Sequence, residues 1–141
     1  MFNVAIIGCG RIAGKFEDIL NTIKPCTHAG AYVNNKHTRI IAACDNSVKQ
    51  LDDFCKRWKI SKAYTDANEM LLNEKIDILS VCTPSATHYD LVLAALEHCP
   101  TIKAIWCEKP IADSLNKAKV MVKKCDEKGV KLAINYLRRW D

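Results

Sequence analysis

The stretch Val4-Ala5-Ile6-Ile7-Gly8-Cys9-Gly10-Arg11-Ile12-Ala13 decides the fold of this chain. It begins with an uncharged apolar run, which is typical of a buried parallel strand. Two glycines separated by one residue follow at once, and apolar residues then recur at helical spacing as far as Leu20. The pattern therefore predicts a strand, a sharp turn and a helix at the start of the chain.

The small residues of this turn have defined tasks in a dinucleotide-binding site. Gly8 permits the tight turn, Gly10 lets a pyrophosphate approach the backbone, and Ala13 lets the helix pack closely on the strand. The free N–H groups and the positive dipole end of the new helix face the phosphates. A strand–turn–helix unit without a ligand is the alternative, and the glycine pattern by itself leaves it open.

Composition and charge exclude some classes of protein. The chain has 141 residues, 49% hydrophobic and 26% charged, which is the balance of one soluble globular domain. No apolar run approaches the roughly 20 residues of a membrane helix, and no signal peptide is predicted. The net charge of +5 is spread along the chain, so we expect no nucleic-acid or membrane partner.

The eight cysteines form neither a C-x-x-C pair nor a Cys/His group with zinc-ligand spacing. Four of them fall in or just after predicted strands, where a free cysteine acts as a small hydrophobe: Cys9, Cys44, Cys82 and Cys107. We therefore expect a reduced, cytoplasmic protein without a metal site.

Strands and helices alternate along the chain with short connections. Strands are predicted at residues 3–7, 39–44, 62–64, 76–82, 103–107 and 130–135. Helices are predicted at residues 11–20, 28–34, 47–58, 87–98 and 113–128, with a further one around Met70. Such β-α-β units form a parallel sheet that is covered on both faces. With the glycine turn first, we predict one α/β domain, a doubly wound Rossmann fold with strand order 3-2-1-4-5-6.

Two helical regions carry further expectations. Residues 21–27 interrupt the first helix, because Pro25 cannot continue it, and we expect this loop to lie beside the glycine turn. In the last helix, the residues at helical spacing are expected to form the buried face: Leu115, Ala118, Met121, Val122 and Cys125.

Asp45 ends the second strand, beside the glycine turn in the predicted sheet. A carboxylate there accepts hydrogen bonds from both hydroxyls of the adenosine ribose and repels a 2′-phosphate, which favours NAD over NADP. NADP is not excluded, because Asn46, Ser47 and Lys49 offer partners for a phosphate. The alternative is an aspartate that only caps the following helix, and the two roles are compatible.

Thr83, Pro84 and Ser85 follow the fourth strand, and His88 comes three residues later. In open α/β sheets, ligands bind outside the carboxyl ends of the strands at the point where the strand order reverses. Pro84 is expected to make this loop rigid beneath the cofactor. His88 is a candidate for lining the site, and packing in a first helical turn is the alternative.

Glu108, Lys109 and Pro110 stand at the carboxyl end of the fifth strand. A lysine in this position reaches a substrate hydroxyl next to the nicotinamide and favours the alkoxide that develops during hydride removal. Glu108 is expected to hold the ammonium group or a ribose. The alternative is an exposed ion pair in a loop, which would contribute little.

Taken together, these motifs resemble the N-terminal domain of the glucose–fructose oxidoreductase, inositol dehydrogenase and MocA-like (Gfo/Idh/MocA) family. The resemblance extends over nearly the whole chain and follows the order of the family's motifs. It is carried by Ile-Ile-Gly-Cys-Gly-Arg-Ile-Ala at 6–13, Ala-Ala-Cys-Asp at 42–45, Val-Cys-Thr-Pro-Ser-Ala-Thr-His at 81–88, Glu-Lys-Pro-Ile-Ala at 108–112 and Asn-Tyr-Leu-Arg-Arg at 135–139.

The resemblance implies NAD(P) as the cofactor, with NAD favoured by Asp45, and Lys109 as the catalytic residue. It also implies a cis peptide bond between Lys109 and Pro110. The cofactor-binding residues that it implies, besides Lys109 itself, are Gly8, Gly10, Arg11, Ile12, Ala13, Asp45, Thr83, Pro84, His88, Glu108, Asn135 and Arg138.

Family members continue into a second α/β domain that supplies most substrate contacts and the oligomer interface. We therefore expect a dinucleotide-binding domain at 1–135. Residues 136–141 would be the start of a second domain whose remainder is missing from this chain. The resemblance implies an NAD(P)-dependent sugar or cyclitol dehydrogenase that is a homo-oligomer at full length, and little activity of this chain alone. A dinucleotide-binding or sensing module without chemistry of its own is the alternative.

Overall fold

The computed structural model describes residues 1–136 and contains a six-stranded parallel sheet. The strands are β1 (Phe2–Ile7), β2 (Thr38–Cys44), β3 (Lys62–Tyr64), β4 (Ile78–Val81), β5 (Ala104–Glu108) and β6 (Lys131–Asn135). Their order is β3-β2-β1-β4-β5-β6, and each neighbouring pair is parallel. The predicted doubly wound α/β fold and strand order are confirmed.

Within residues 1–136, six α-helices connect the strands: α1 (Phe16–Ile19), α2 (His28–Val33), α3 (Val48–Trp58), α4 (Ala67–Asn73), α5 (His88–His98) and α6 (Leu115–Glu127). A π-helical turn, Arg11–Lys15, leads into α1, and a 3-10 turn, Ser85–Thr87, leads into α5. Side chains of Ser47, Asp66 and Ser114 accept backbone N–H groups at the starts of α3, α4 and α6. No helix of the described residues is long and apolar enough to span a bilayer.

The sheet separates two layers of helices, because successive side chains of a strand point to opposite faces. On one face, Ala5, Leu79 and Ile105 belong to a core completed by α4, α5 and α6. On the other face, Val4 and Ile6 pack in a core completed by α2 and α3. Both faces of the sheet are therefore covered, as a parallel sheet requires.

Most of the cysteines contribute to these cores as apolar side chains. All eight are free thiols, and Cys9, Cys44 and Cys107 are buried. Burial raises the pKa of Cys44 to about 12, with a further contribution from Asp45, and raises that of Cys107 to about 12. Both thiols therefore stay protonated, which agrees with a packing role.

Two details differ from the sequence-based expectation. Met121 and Cys125 of α6 are buried, but Leu115 is 70% exposed and Val122 is 46% exposed, so their predicted burial is wrong. The physical reason is that α6 contacts α5 and the edge strand β6, where a helix buries only a narrow stripe. In addition, β4 is shorter than the predicted strand at 76–82. Ile76 is buried, as an apolar run suggests, but the residues that pair with β1 begin only at Ile78.

The carboxyl ends of the central strands form one edge on which the candidate residues meet. The N–H of Gly8 donates to Cys44 O at 2.8 Å, and the N–H of Cys82 donates to Ile7 O at 2.8 Å. These bonds tie the segments that follow β1, β2 and β4 to one another. The strand order reverses between β1 and β4, so this edge is where α/β proteins of this topology bind ligands.

Candidate functional site

The turn after β1 requires a glycine at position 8 because of its backbone conformation and its close neighbours. Its φ is +89°, a backbone conformation that L side chains rarely adopt. A Cβ atom at this position would lie 2.8 Å from the carbonyl carbon and oxygen of Cys82. Gly8 is therefore needed for the turn itself and for the contact between β1 and β4.

Gly10 differs from Gly8, because it faces open space. A Cβ atom at Gly10 would have no heavy atom of residues 1–136 within 4 Å. Gly10 is also the residue before the π-helical turn Arg11–Lys15. Because glycine has no side chain, it does not cap the first N–H groups of that turn. N–H groups without a side-chain cap beside an open approach fit a pyrophosphate, so the geometry is compatible with the predicted phosphate site.

Close packing after this turn depends on a residue that sequence reasoning missed. Ala13 is fully buried, as expected of a small residue that lets the helix approach the sheet. The tightest approach, however, is at Gly14, where a Cβ atom would lie 2.4 Å from Trp58 Nε1 and 2.7 Å from Phe54 Cε2. Of the other two motif residues, Arg11 is exposed and Ile12 is half-buried at the edge of the cavity described below.

Asp45 holds the glycine turn in place. Its Oδ2 accepts the N–H of Cys9 at 2.7 Å, and its Oδ1 accepts the N–H of Ser47 at 2.8 Å. The helix cap proper is Ser47, whose hydroxyl accepts the N–H of Gln50. An ionised carboxylate has about four acceptor positions, so these two bonds leave room for ribose hydroxyls. The geometry fits both predicted roles of Asp45.

Replacing Asp45 with alanine should lower the free energy of unfolding by about 1–3 kcal/mol, because the buried N–H of Cys9 loses its acceptor. We also expect NADH affinity to fall at least about tenfold, since the turn and a ribose partner are lost together. Urea unfolding and fluorescence titration measure the two effects.

Asp77→Ala is the matched control for that change. Asp77 also accepts a backbone N–H, that of Asn3, but it lies at the amino end of β4. We expect this variant to lose stability while its NADH affinity stays within about twofold. Equal losses of NADH affinity in Asp45→Ala and Asp77→Ala would contradict a specific role of Asp45.

His88 is fully buried, so its ring joins two loops and lines no open surface. Its Nε2 lies 2.9 Å from Thr83 O, and its Nδ1 lies 2.9 Å from Pro110 O. The ring therefore connects the Thr83 loop to the Lys109–Pro110 loop. Thr83 also accepts a hydrogen bond from Thr87, whereas Pro84 is exposed at the start of the 3-10 turn.

His88→Ala should destabilise the domain by about 2–4 kcal/mol, the usual cost of a large-to-small change in a core. The same variant also loses the two ring contacts, to Thr83 O and Pro110 O, which we call the His88 clamp between the two loops. His37→Ala is the control, because His37 is exposed and its removal should change stability by less than about 0.5 kcal/mol. Chemical denaturation of both variants checks this, and an unchanged midpoint for His88→Ala would refute the clamp.

A cavity of about 600 Å³ lies at the same edge of the sheet. Its lining brings together motifs that are far apart in sequence: Ile12, Phe16, Cys82, Thr83, Glu108, Lys109, Asn135 and Tyr136. Lys109 is exposed and makes no ion pair with any residue of the described range 1–136, so the alternative of a loop ion pair has no support there. The Lys109–Pro110 peptide bond is cis, which confirms that prediction.

Glu108 is the acidic residue of the cavity lining. It is 9% exposed, and its Oε1 accepts hydrogen bonds from His28 Nε2 at 2.9 Å and from the side chain of Asn135. Burial alone would raise the pKa of Glu108, but these bonds outweigh it and hold the pKa below its ordinary value. The carboxylate is therefore ionised at neutral pH. Arg138, the remaining predicted residue, lies outside the described residues.

The interrupted segment after α1 contributes a buried acid that the sequence did not single out. Glu17 accepts the hydroxyl of Thr27 at 2.7 Å and the N–H of Cys26 at 3.1 Å. Its carboxylate also lies against Gly30, where a Cβ atom would come within 2.5 Å of it. These contacts fold residues 21–27 back onto α1 and place His28 under the sheet edge. Helical spacing gave no sign of this role.

The fold and the site define a dinucleotide-binding domain, and comparison with known proteins identifies its family. The family model described as "Oxidoreductase family, NAD-binding Rossmann fold" (Gfo/Idh/MocA) matches residues 2–136. The chain belongs to this family, which confirms the resemblance, the predicted NAD cofactor and the assignment as an NAD-binding oxidoreductase domain.

The chain is similar to several dehydrogenases. D-glucoside 3-dehydrogenase of Escherichia coli K12 is 31% identical, over 97% of this chain and 35% of that protein. D-apiose dehydrogenase of Paraburkholderia graminis is 30% identical, over 99% of this chain and 33% of that protein. A crystal structure of an Agrobacterium radiobacter oxidoreductase with NAD+, L-tartaric acid and magnesium matches with a TM-score of 0.82 and 29% identity, over 99% of this chain and 36% of that one. The chain thus spans about a third of the length of these proteins.

Proposed function

We propose that this chain is the cofactor-binding domain of an NAD-dependent dehydrogenase that acts on a CH–OH group of a sugar or cyclitol. The observation that carries the proposal is that Lys109 lines one cavity with Ile12, which directly follows the glycine turn, and with Thr83. Two similar proteins are named as dehydrogenases of a D-glucoside and of D-apiose, which supports a polyhydroxylated substrate. The remaining two thirds of such a protein would supply most substrate contacts.

Each residue of the site has a proposed task. The N–H groups that follow Gly10 bind the pyrophosphate, and Asp45 binds the adenosine ribose. NAD, when bound, supplies the carbon atom that accepts or returns a hydride. The Lys109 ammonium donates a hydrogen bond to the reacting oxygen of the substrate and stabilises negative charge that develops on it. Glu108 and Asn135 border the same position.

Titration of the 141-residue chain with NADH, followed by addition of sugars and cyclitols, tests the proposal. We expect saturable NADH binding and no redox change without the rest of the protein. Absence of NADH binding by the folded chain would overturn the proposal. Turnover of a sugar by the chain alone would show that a second domain is not required. The homo-oligomer stays a prediction from the resemblance, and the cytoplasmic location stays a prediction from the cysteine pattern.

A further inference from the structure

A row of buried polar side chains runs beneath the cavity, between α2 and strands β4 and β5. Tyr32 Oη lies 2.9 Å from Ser80 Oγ, Ser80 Oγ lies 3.0 Å from His28 Nδ1, and His28 Nε2 lies 2.9 Å from Glu108 Oε1. Ser80 is 0% exposed and His28 is 1% exposed. None of the tasks assigned above uses Tyr32, Ser80 or His28. Buried polar groups of this kind are costly unless each is satisfied, as they are here.

With a neutral His28 ring, the hydrogen bonds of this row have one direction. The Glu108 carboxylate is ionised and only accepts, so His28 Nε2 carries the proton of their bond. In the neutral imidazole, Nδ1 is then the acceptor and takes the proton of the Ser80 hydroxyl. The oxygen of Ser80 in turn accepts from the hydroxyl of Tyr32. Tyr32 and Ser80 therefore select the tautomer of His28 that donates to Glu108.

Aromatic packing fixes the orientation of the imidazole ring. The ring centroids of His28 and Trp106 are 4.1 Å apart, and the rings of Tyr32 and Trp106 form a T-shaped pair with centroids 5.8 Å apart. Rotation of the His28 ring would break this stacking as well as both hydrogen bonds. Ser80, Glu108 and Trp106 thus fix the His28 ring together.

Both side-chain donors to Glu108 bind the same oxygen. His28 and Asn135 donate to Oε1, whereas Oε2 has no side-chain partner within the described residues. Glu108 lines the cavity beside Lys109, and its side chain is 11% exposed. The side-chain donors therefore hold the carboxylate through Oε1, the backbone N–H of Lys109 also contributes, and Oε2 has no side-chain donor that would compete with a ligand hydroxyl.

We propose that His28 is a positioning residue for Glu108, which it holds so that Oε2 binds a hydroxyl of the nicotinamide ribose. This inference rests on the proposed function. It assigns Glu108 to the nicotinamide half of the cofactor, whereas Asp45 and the glycine turn bind the adenosine half. Removal of the His28–Glu108 bond should then weaken binding of the whole dinucleotide and spare ligands that lack the nicotinamide half.

Two amide variants of His28 separate its two hydrogen bonds. The glutamine amide of His28→Gln reaches the position of Nε2 and keeps a donor for Glu108. The shorter amide of His28→Asn reaches only the position of Nδ1 and keeps the bond to Ser80. The two variants are matched in chemistry, so the difference between them reports the Glu108 bond.

The 141-residue chain and both variants are titrated with NADH and, separately, with ADP. We expect His28→Asn to bind NADH about tenfold more weakly, the usual effect of losing a bond to a charged group, and His28→Gln to stay within about threefold. Both variants should bind ADP within about twofold of the unchanged chain. Equal NADH affinities of the two variants, or a parallel loss of ADP affinity, would overturn the proposal.

Nitrogen NMR of His28 tests the hydrogen-bond row without any ligand. We expect a protonated Nε2 and an unprotonated Nδ1 at neutral pH, and the opposite tautomer would refute the proposed direction of the bonds. The two measurements separate two kinds of failure. A chain that binds no NADH refutes the proposed function, whereas a chain that binds NADH equally in both variants refutes only the role of His28.

Discussion

Replacing Lys109 with alanine should lower kcat of the full-length dehydrogenase proposed above by about 10²- to 10⁴-fold, the usual range for removal of a positioned acid–base group. Lys109 lines the cavity together with Glu108, and its ammonium group makes no ion pair with a carboxylate of the described residues. Because its interaction grows as charge develops on the substrate oxygen, its loss acts on the transition state. NADH affinity should stay within about threefold.

Steady-state kinetics with a sugar or cyclitol substrate, together with NADH titration, measure these effects. Lys103→Ala is the matched control. Lys103 directly precedes the amino end of β5, whereas Lys109 follows its carboxyl end, and Lys103 pairs with Asp77. It should leave kcat within about twofold. Loss of NADH affinity without loss of kcat would instead make Lys109 a cofactor-binding residue, and unchanged turnover would remove it from the mechanism.

Replacing Gly8 with alanine should destabilise the domain by about 3 kcal/mol or more and abolish measurable NADH binding. The methyl group would meet the carbonyl group of Cys82 at 2.8 Å, and the φ of +89° adds backbone strain. Overpacking and an unfavourable backbone conformation each cost about 1–3 kcal/mol. Relief of the clash would separate β1 from β4 at the site, because Cys82 bonds directly to Ile7.

Gly10→Ala is the informative partner of this variant. The open space around Gly10 accommodates a methyl group, so the free energy of unfolding should change by less than about 0.5 kcal/mol. NADH affinity should still fall about tenfold or more, because the methyl group would occupy the approach of the pyrophosphate. Urea unfolding and NADH titration of both variants check the pair. A Gly10→Ala chain with unchanged NADH affinity would refute a phosphate site at this turn.

Much of the fold could be predicted from local pattern. Apolar runs, glycine turns and helix caps are properties of neighbouring residues, and right-handed crossovers then leave few possible strand orders. The order 3-2-1-4-5-6 follows from these rules. The exposure of Leu115 and Val122 did not follow, because periodicity shows which residues of a helix are apolar but not how much of that face is covered.

Predictions about the site separate in the same way. Gly8, Asp45 and Lys109 follow the ends of strands, so strand order alone places them at one edge. Their individual roles stay predictions that the variants above test. His88 also falls near this edge, but only the tertiary structure shows that its ring is fully buried between two loops.

By itself, then, the sequence determined the α/β class, the strand order and the family, and it predicted the edge of the sheet at which NAD would bind, since each is encoded in short motifs. Only the tertiary structure decided which side chains support that edge. His28 is 52 residues from Ser80 and 80 residues from Glu108, and no local pattern links such positions. The sheet brings them into contact, and burial then requires that each polar group find a partner.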